Sequence, residues 1–217
     1  MDLILKNGTS VNARETFVAD VGIENGLIKR IGQDIGPAAR EIDCTGKYLF
    51  PGGVDAHTHA DLNLMGMQTA DDFYSATVAA ACGGVTTIID YAFPEPGASL
   101  MSGINDWVEK PSQRAVIDFG LHATILEPTE SNIAEMADVV AEGHTSFKIY
   151  MIELGKFDQL TPQYVKVMAE AGRLGAMVNI HCEDQCCISY LAQQYAHQHK
   201  HGPENFCNSR PPIAEGM

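Results

Sequence analysis

The chain has 217 residues, 45% hydrophobic and 19% charged, enough for one sizeable folded core and a small appendage. Its net charge of -14 and pI of about 4.8 argue against nucleic acid and anionic membrane surfaces as partners. No apolar run approaches the roughly 20 residues of a membrane span. The start, Met1-Asp2-Leu3-Ile4-Leu5-Lys6, lacks the basic segment and long apolar stretch of an export signal, so a cytoplasmic location and free thiols at all six cysteines are expected.

Residues 1–47 differ in rhythm from the rest of the chain. Leu3-Ile4-Leu5, Val18–Ile23 and Leu27–Ile31 are short strand-like runs, and Asn7-Gly8 and Asn25-Gly26 between them are hairpin turn signals. They predict a small antiparallel sheet. From residue 48 to 217 the rhythm becomes strand, helix, strand. Strands are predicted over 48–57, 85–93, 115–126, 145–151 and 176–181, with helices at about 70–82, 99–110, 131–142, 161–174 and 184–199. Ser99 is a candidate cap, Thr161-Pro162 pairs a cap with a first-turn proline, and Gly143 and Gly175 are candidate C-terminal stops. This alternation implies parallel βαβ units. His57, His59, Asp90, Lys148 and His181 fall at strand C-terminal ends, the active face of a (β/α)8 barrel and of an open doubly wound sheet alike. No glycine-rich loop follows the first strand, and Gly83-Gly84 precedes a strand rather than a helix, which discounts nucleotide binding.

The stretch Gly53-Val54-Asp55-Ala56-His57-Thr58-His59-Ala60 carries the strongest chemical signal. Positions i and i+2 of a strand point to one face, so an extended H-x-H aims two imidazoles at one spot, as a metal requires. Lys148 lies inside the apolar run Ser146-Phe147-Lys148-Ile149-Tyr150-Met151, where an ammonium is costly. It could snorkel to the surface, form a Schiff base, or react with carbon dioxide to give a carbamate able to bridge two cations. His181 ends the run Met177-Val178-Asn179-Ile180-His181 and precedes Glu183-Asp184. Cys182, Cys186 and Cys187 cluster, but no C-x-x-C pair marks a soft-metal site.

Phe50-Pro51-Gly52-Gly53-Val54-Asp55-Ala56-His57-Thr58-His59, Ala79–Asp90, Pro94-Glu95-Pro96-Gly97, Ser146-Phe147-Lys148, His181-Cys182-Glu183, Gly202-Pro203-Glu204 and Ser209-Arg210-Pro211 together carry a resemblance. The chain resembles the cyclic-amidohydrolase branch of the amidohydrolase superfamily, the dihydropyrimidinase and D-hydantoinase group, from end to end and in family order. The resemblance implies an α/β fold, with the N-terminal part of a composite β-sandwich followed by a partial (β/α)8 barrel. It implies that His57 and His59 hold the first ion of a metal pair, that Lys148 is the carboxylated bridge, and that His181 binds the second ion. Zinc is the expected metal, although imidazole and carbamate suit other divalent ions. Such a pair generates a hydroxide at neutral pH and polarises the carbonyl under attack. The expected reaction opens a hydantoin or dihydropyrimidine ring to an N-carbamoyl amino acid. The substrate is thus a small cyclic ureide or imide, and the family implies a homo-oligomer.

The pattern also departs from the family. The resemblance places a further metal-binding histidine on strand six and a proton-shuttling aspartate on strand eight, and neither is present before Met217, so an N-terminal part of the barrel is expected, with about five of eight strands. His197, His199 and His201 follow the fifth helix and are expected to form a solvated helix end. Glu153 stands where the family has a tyrosine that stabilises the oxyanion, and a carboxylate there would repel one. Tyr150 is expected to point elsewhere. Met65 and Met67 are candidates for lining the pocket of the substrate's exocyclic group, with apolar packing as the alternative. A truncated, non-catalytic scaffold or a decayed fragment are the competing readings, and four retained ligand positions argue against the scaffold.

Overall fold

The computed structural model describes residues 1–64, 66–152 and 161–216. Two compact units divide the chain, Met1–Gly53 and Val54–Met217. Among the described residues no helix is long and apolar enough to cross a membrane.

The first unit is a five-stranded sheet of β1 (Leu3–Val11), β2 (Thr16–Glu24), β3 (Leu27–Gly32), β4 (Arg40–Asp43) and β5 (Tyr48–Leu49). β2 pairs antiparallel with both β1 and β3, and the β2–β3 turn is Asn25-Gly26, both with positive φ, as the dipeptide predicts. β4 and β5 instead lie parallel to β1, so the sheet is antiparallel only over its first three strands. Asn7-Gly8 is not a turn. It sits inside β1, where the register with β2 shifts between Leu5 and Gly8 and Asn7 adopts φ 60°. The Asn7 N–H donates to Asp20 Oδ1 at 2.9 Å and its side-chain amide to Asp43 Oδ1 at 3.1 Å, so neighbouring strands stabilise a bulge where local sequence suggests a hairpin. The β1–β2 connection falls at Asn12, whose side chain accepts from the N–H groups of Arg14 and Glu15.

The second unit is a half-barrel of five parallel strands: β6 (Gly53–Thr58), β9 (Val85–Ala92), β10 (Asp118–Thr124), β11 (Ser146–Tyr150) and β12 (Met177–His181), in the order β12-β11-β10-β9-β6. A short ribbon, β7 (Asn63–Leu64) with β8 (Met67–Gln68), precedes α1 (Phe73–Cys82). The other helices are α2 (Leu100–Arg114), α3 (Glu130–Ala141), α4 (Thr161–Leu174), α5 (Gln185–His197), α6 (Pro203–Asn208) and α7 (Ile213–Gly216). The predicted strand over 48–57 is two strands, because Pro51 has no N–H to continue a ladder; β5 belongs to the first sheet and β6 to the second. α2 opens at Ser99, whose hydroxyl accepts from Ser102 N–H at 3.1 Å. α3 is followed by Gly143 at φ 100°, the left-handed stop its sequence predicts.

The core lies between strands and helices. Phe147 and Ile149 on β11 are buried, and Met136 and Val139 of α3, Val167 and Ala171 of α4, and Leu100, Ile104 and Trp107 of α2 join them in the same cluster. Lys148 and Tyr150 are buried as well, so both faces of β11 are covered. Trp107 donates its indole N–H to the Phe93 carbonyl at 2.7 Å, anchoring α2 to the segment that follows β9. Gly103 lies on that same contact: a Cβ there would stand 2.5 Å from Pro94 Cβ and 2.8 Å from Pro94 Cα. Gly103→Ala is therefore expected to destabilise the chain by about 1–3 kcal/mol. Gly172→Ala on α4, with nothing within 4 Å of the added carbon, should stabilise it by about 0.5–1 kcal/mol. Equilibrium denaturation of the two variants checks the contrast.

Candidate metal centre

β6 delivers His57 near its C-terminal end, and His59 follows one residue beyond the strand. Their rings meet edge to face with centroids 5.2 Å apart. The ring of Tyr91, 1% exposed, packs against both, at 4.7 Å from His57 and 4.9 Å from His59. Lys148 on β11 is 4% exposed, and its Nζ stands 5.5 Å from the centre of the Tyr91 ring and 4.8 Å from that of Tyr150. The His181 ring, at the end of β12, stacks on Tyr150 with centroids 5.7 Å apart. The four predicted donors thus gather around two tyrosine rings. Tyr150 does not point elsewhere: two residues along a regular strand from Lys148, it shares that residue's face and packs beside His181.

Three further side chains hold these donors, and sequence reasoning assigned a role to none of them. Asp90, at the C-terminal part of β9 and 0% exposed, accepts from Thr58 Oγ1–H and Ala60 N–H at 2.9 Å each through Oδ2, and from Tyr91 N–H at 2.7 Å through Oδ1. The two residues flanking His59 are thereby tied to the neighbouring strand. Glu183 contacts His181 Nε2 at 2.6 Å with one oxygen and lies 3.6 Å from the Arg210 guanidinium with the other. His122 on β10 is buried and contacts Ala56, Ser146 and Asn179. A polar residue inside the apolar run Leu121-His122-Ala123 is the same signal that exposes Lys148, and it was available in the sequence.

Electrostatics favours uncharged donors. His57 and His59 reach solvent at their outer edges, yet the protein packed around them lowers both values. Desolvation comes first and the neighbouring positive groups second, and His59 falls to about 4. Desolvation also lowers Lys148, and among the described residues no carboxylate forms an ion pair with its amine. Burial raises Tyr91 and Tyr150, so both phenols keep their protons.

The donor set fits divalent ions in its chemistry. Three imidazoles and an amine biased toward its neutral form suit borderline metals. The Nε2 of His181 faces the Glu183 carboxylate, as the second ring nitrogen of a metal-binding histidine commonly does. Among the described residues no three His, Cys, Asp and Glu side chains form a group that could hold a metal ion on their own. Cys182 and Cys186 are exposed free thiols and Cys187 is partly so; they form no metal-holding group among the described residues. His197, His199 and His201 are exposed at and after the end of α5, as expected of a solvated helix end. Met65 and Glu153 lie outside the described residues, and Met67 is 71% exposed rather than packed.

A parallel half-barrel with polar side chains gathered at the C-terminal ends of its strands is part of an α/β barrel, with those side chains on the face where such barrels carry their sites. A sequence profile of the amidohydrolase family matches residues 48–211, and the chain belongs to that family. It is 40% identical to a D-hydantoinase of Rhizobium radiobacter over 99% of its own length and 47% of that protein's, and 41% identical to the D-hydantoinase of Ralstonia pickettii with the same coverage. A crystal structure of dihydropyrimidinase from Brevibacillus agri superposes with a TM-score of 0.94 at 38% identity, covering 100% of this chain and 47% of that one. The chain thus spans about half the length of the relatives it matches.

Asp90 and the histidines pull the pH dependence of stability in opposite directions. Burial raises the Asp90 carboxyl from 3.8 to about 6, so between these values the folded chain holds a proton that the unfolded chain releases, and this contribution grows as pH falls through 6 and is lost as pH rises through it. His59, lowered from 6.5 to about 4, does the reverse, because the unfolded chain takes up its proton first. Asp90→Asn removes the first effect and leaves the second. Without added metal, denaturant midpoints of this variant should fall more steeply than those of the parent between pH 6.5 and 4; equal slopes would contradict the assignment.

Proposed function

We propose that the chain supplies the metal-holding part of a cyclic-amide hydrolase site, with His57, His59 and His181 as imidazole ligands and Lys148, carboxylated at Nζ, bridging two divalent ions. Zinc is the proposed metal. What supports this reading is the convergence of three imidazoles and a buried amine, without a carboxylate partner among the described residues, on the same two tyrosine rings, in a chain whose relatives are named hydantoinases and dihydropyrimidinases.

Lys148 is suited to carboxylation. Its desolvated site favours the free amine, whose lone pair attacks carbon dioxide; the new N–C bond forms, one proton leaves, and an anionic carbamate with two donor oxygens remains. That change turns a costly buried cation into an anion facing three imidazoles, a setting that a divalent pair neutralises. When bound, the ions would supply an activated water and polarise a ring carbonyl of the substrate. The chain's own residues do the rest. Asp90 fixes the turn that carries His57 and His59. Glu183 directs the lone pair of His181. Tyr150 holds a protonated phenol beside His181, a donor available to the carbonyl oxygen that gains charge as the ring carbon is attacked, before the C–N bond breaks and its electron pair goes to the leaving nitrogen. The proposed substrate class is a cyclic ureide such as a hydantoin or dihydropyrimidine, opened to an N-carbamoyl amino acid. Ring opening is proposed for the site as a whole, of which these residues are a part. A scaffold role has no use for a buried amine among imidazoles.

Native mass spectrometry of the chain loaded with zinc in bicarbonate buffer should find two ions per chain. Lys148→Ala and His59→Ala should each lose tight binding of the pair. Carbon NMR with labelled bicarbonate should show a carbamate signal that Lys148→Ala removes. Unchanged metal content in Lys148→Ala would sink the bridging role.

A further inference from the structure

We propose that His122 is a positioning residue that sets the spacing of the ligand-bearing strands, acting from one layer beneath the proposed metal site. His122 lies on β10, which carries none of the four donors, yet its ring reaches three strands that do. Nε2 stands 3.0 Å from the Ala56 carbonyl on β6, and Nδ1 stands 2.5 Å from Ser146 Oγ on β11 and 3.3 Å from Asn179 Nδ2 on β12.

Each contact is placed with respect to a ligand. Ala56 immediately precedes His57. Ser146 is two residues before Lys148, and Asn179 is two residues before His181, so each shares its ligand's face of the strand. The chemistry of the three partners assigns the ring's tautomer. A carbonyl can only accept, so Nε2 carries the hydrogen and donates to Ala56. Nδ1 then accepts from the Ser146 hydroxyl and the Asn179 amide. The single ring joins β6, β11 and β12 with directional bonds, although β6 and β12 stand at opposite edges of the five-stranded sheet. Backbone ladders fix only neighbouring strands, and Ala56 is four places from Asn179 in the strand order. Against the other face of the layer, the Tyr91 ring packs on His122 at 4.7 Å and also on His57 and His59. His122 thus acts on the ligands through hydrogen bonds to their strand neighbours and through one shared aromatic ring.

This inference rests on the proposed metal site, and the experiment separates the two. Zinc affinity is measured by competition with a chromogenic chelator on His122→Leu, His122→Gln, Ser146→Ala and Asn179→Ala, each with its thermal melt. His122→Leu is expected to bind about tenfold to a hundredfold more weakly, the usual effect of removing a partner that orients metal ligands. His122→Gln, whose amide has one donor end and one acceptor end, should recover most of that loss. Ser146→Ala and Asn179→Ala each remove one arm and carry the comparison if the leucine variant does not fold. A residue that only stabilises the fold would lower the melting temperature without changing the affinity of folded molecules or being rescued by glutamine. The second readout needs no metal: nitrogen-resolved NMR of the histidine rings should show His122 as the Nε2–H tautomer, with the ring signals of His57 and His181 shifting in Ser146→Ala or Asn179→Ala. Unchanged affinity in folded variants would overturn the positioning role and leave the metal site standing. Wild-type chain that binds no zinc, with the ring signals still coupled, would remove the metal reading and keep the positioning role. Uncoupled ring signals in that chain would end the proposal.

Discussion

Burying the Lys148 amine beside Tyr91 and Tyr150 penalises its ammonium form, and the surrounding arrangement follows from that penalty. Its strand is covered on both faces, with Phe147 and Ile149 packed against helices and Lys148 and Tyr150 turned the other way. A buried cation ordinarily meets a carboxylate, but the groups gathered here are imidazoles, phenols and the Cys182 thiol, and no carboxylate forms an ion pair with the amine among the described residues. Desolvation in that setting shifts the amine toward its neutral form, the form that reacts with carbon dioxide or donates to a metal. Packing and chemistry therefore point the same way. The cost that makes Lys148 a poor structural residue is what its proposed role as a carbamate puts to use.

Asp90 shows the complementary case. It is a fully buried carboxylate that accepts three hydrogen bonds, yet its value is raised rather than lowered, because desolvation outweighs the donors. A residue held at that cost has to be useful geometrically. Its two oxygens reach the Thr58 hydroxyl and Ala60 N–H, on either side of His59, and the backbone N–H of Tyr91. The H-x-H segment leaves its strand just where a turn would otherwise be free to move. The carboxylate ties that turn to the neighbouring strand, where the two imidazoles meet edge to face.

The barrel rhythm was legible in the sequence because strand and helix periods alternate cleanly from residue 85 onward. The candidate donors drew notice because polar residues inside apolar runs stand out, and their gathering around Tyr91 and Tyr150 is what the fold adds. Of the features that went astray, two show the physical reasons most directly. Asn7-Gly8 has hairpin chemistry, but Asp20 and Asp43, distant in sequence, give the Asn7 amides partners that make a bulge the better outcome. The run from Tyr48 to His57 reads as one strand because its apolar content is continuous, and only Pro51 marks the place where the two sheets part. The supports of the site were harder to see. Asp90, His122 and Glu183 are defined by what they touch 2 to 66 positions away, and no local period encodes such contacts.

The supports also divide the work in a way that explains why the donors are spread over several strand ends rather than clustered on one element. Neighbouring positions on one strand can only offer the two imidazoles of an H-x-H. The proposed two-ion site draws its donors from opposite edges of the sheet, and those edges have no backbone hydrogen bonds in common. Precision across that gap must come from side chains long enough to cross it and rigid enough not to sag. Imidazole and phenol rings meet both demands, since each has few rotatable bonds and a fixed outline. The half-barrel interior here is accordingly ringed by Tyr91, His122 and Tyr150, with the aliphatic core consigned to the outer face beneath the helices. An aliphatic interior would bury as much area. It would hold the strands together without specifying how far apart their ends stand, and for a pair of ions the distance is what matters.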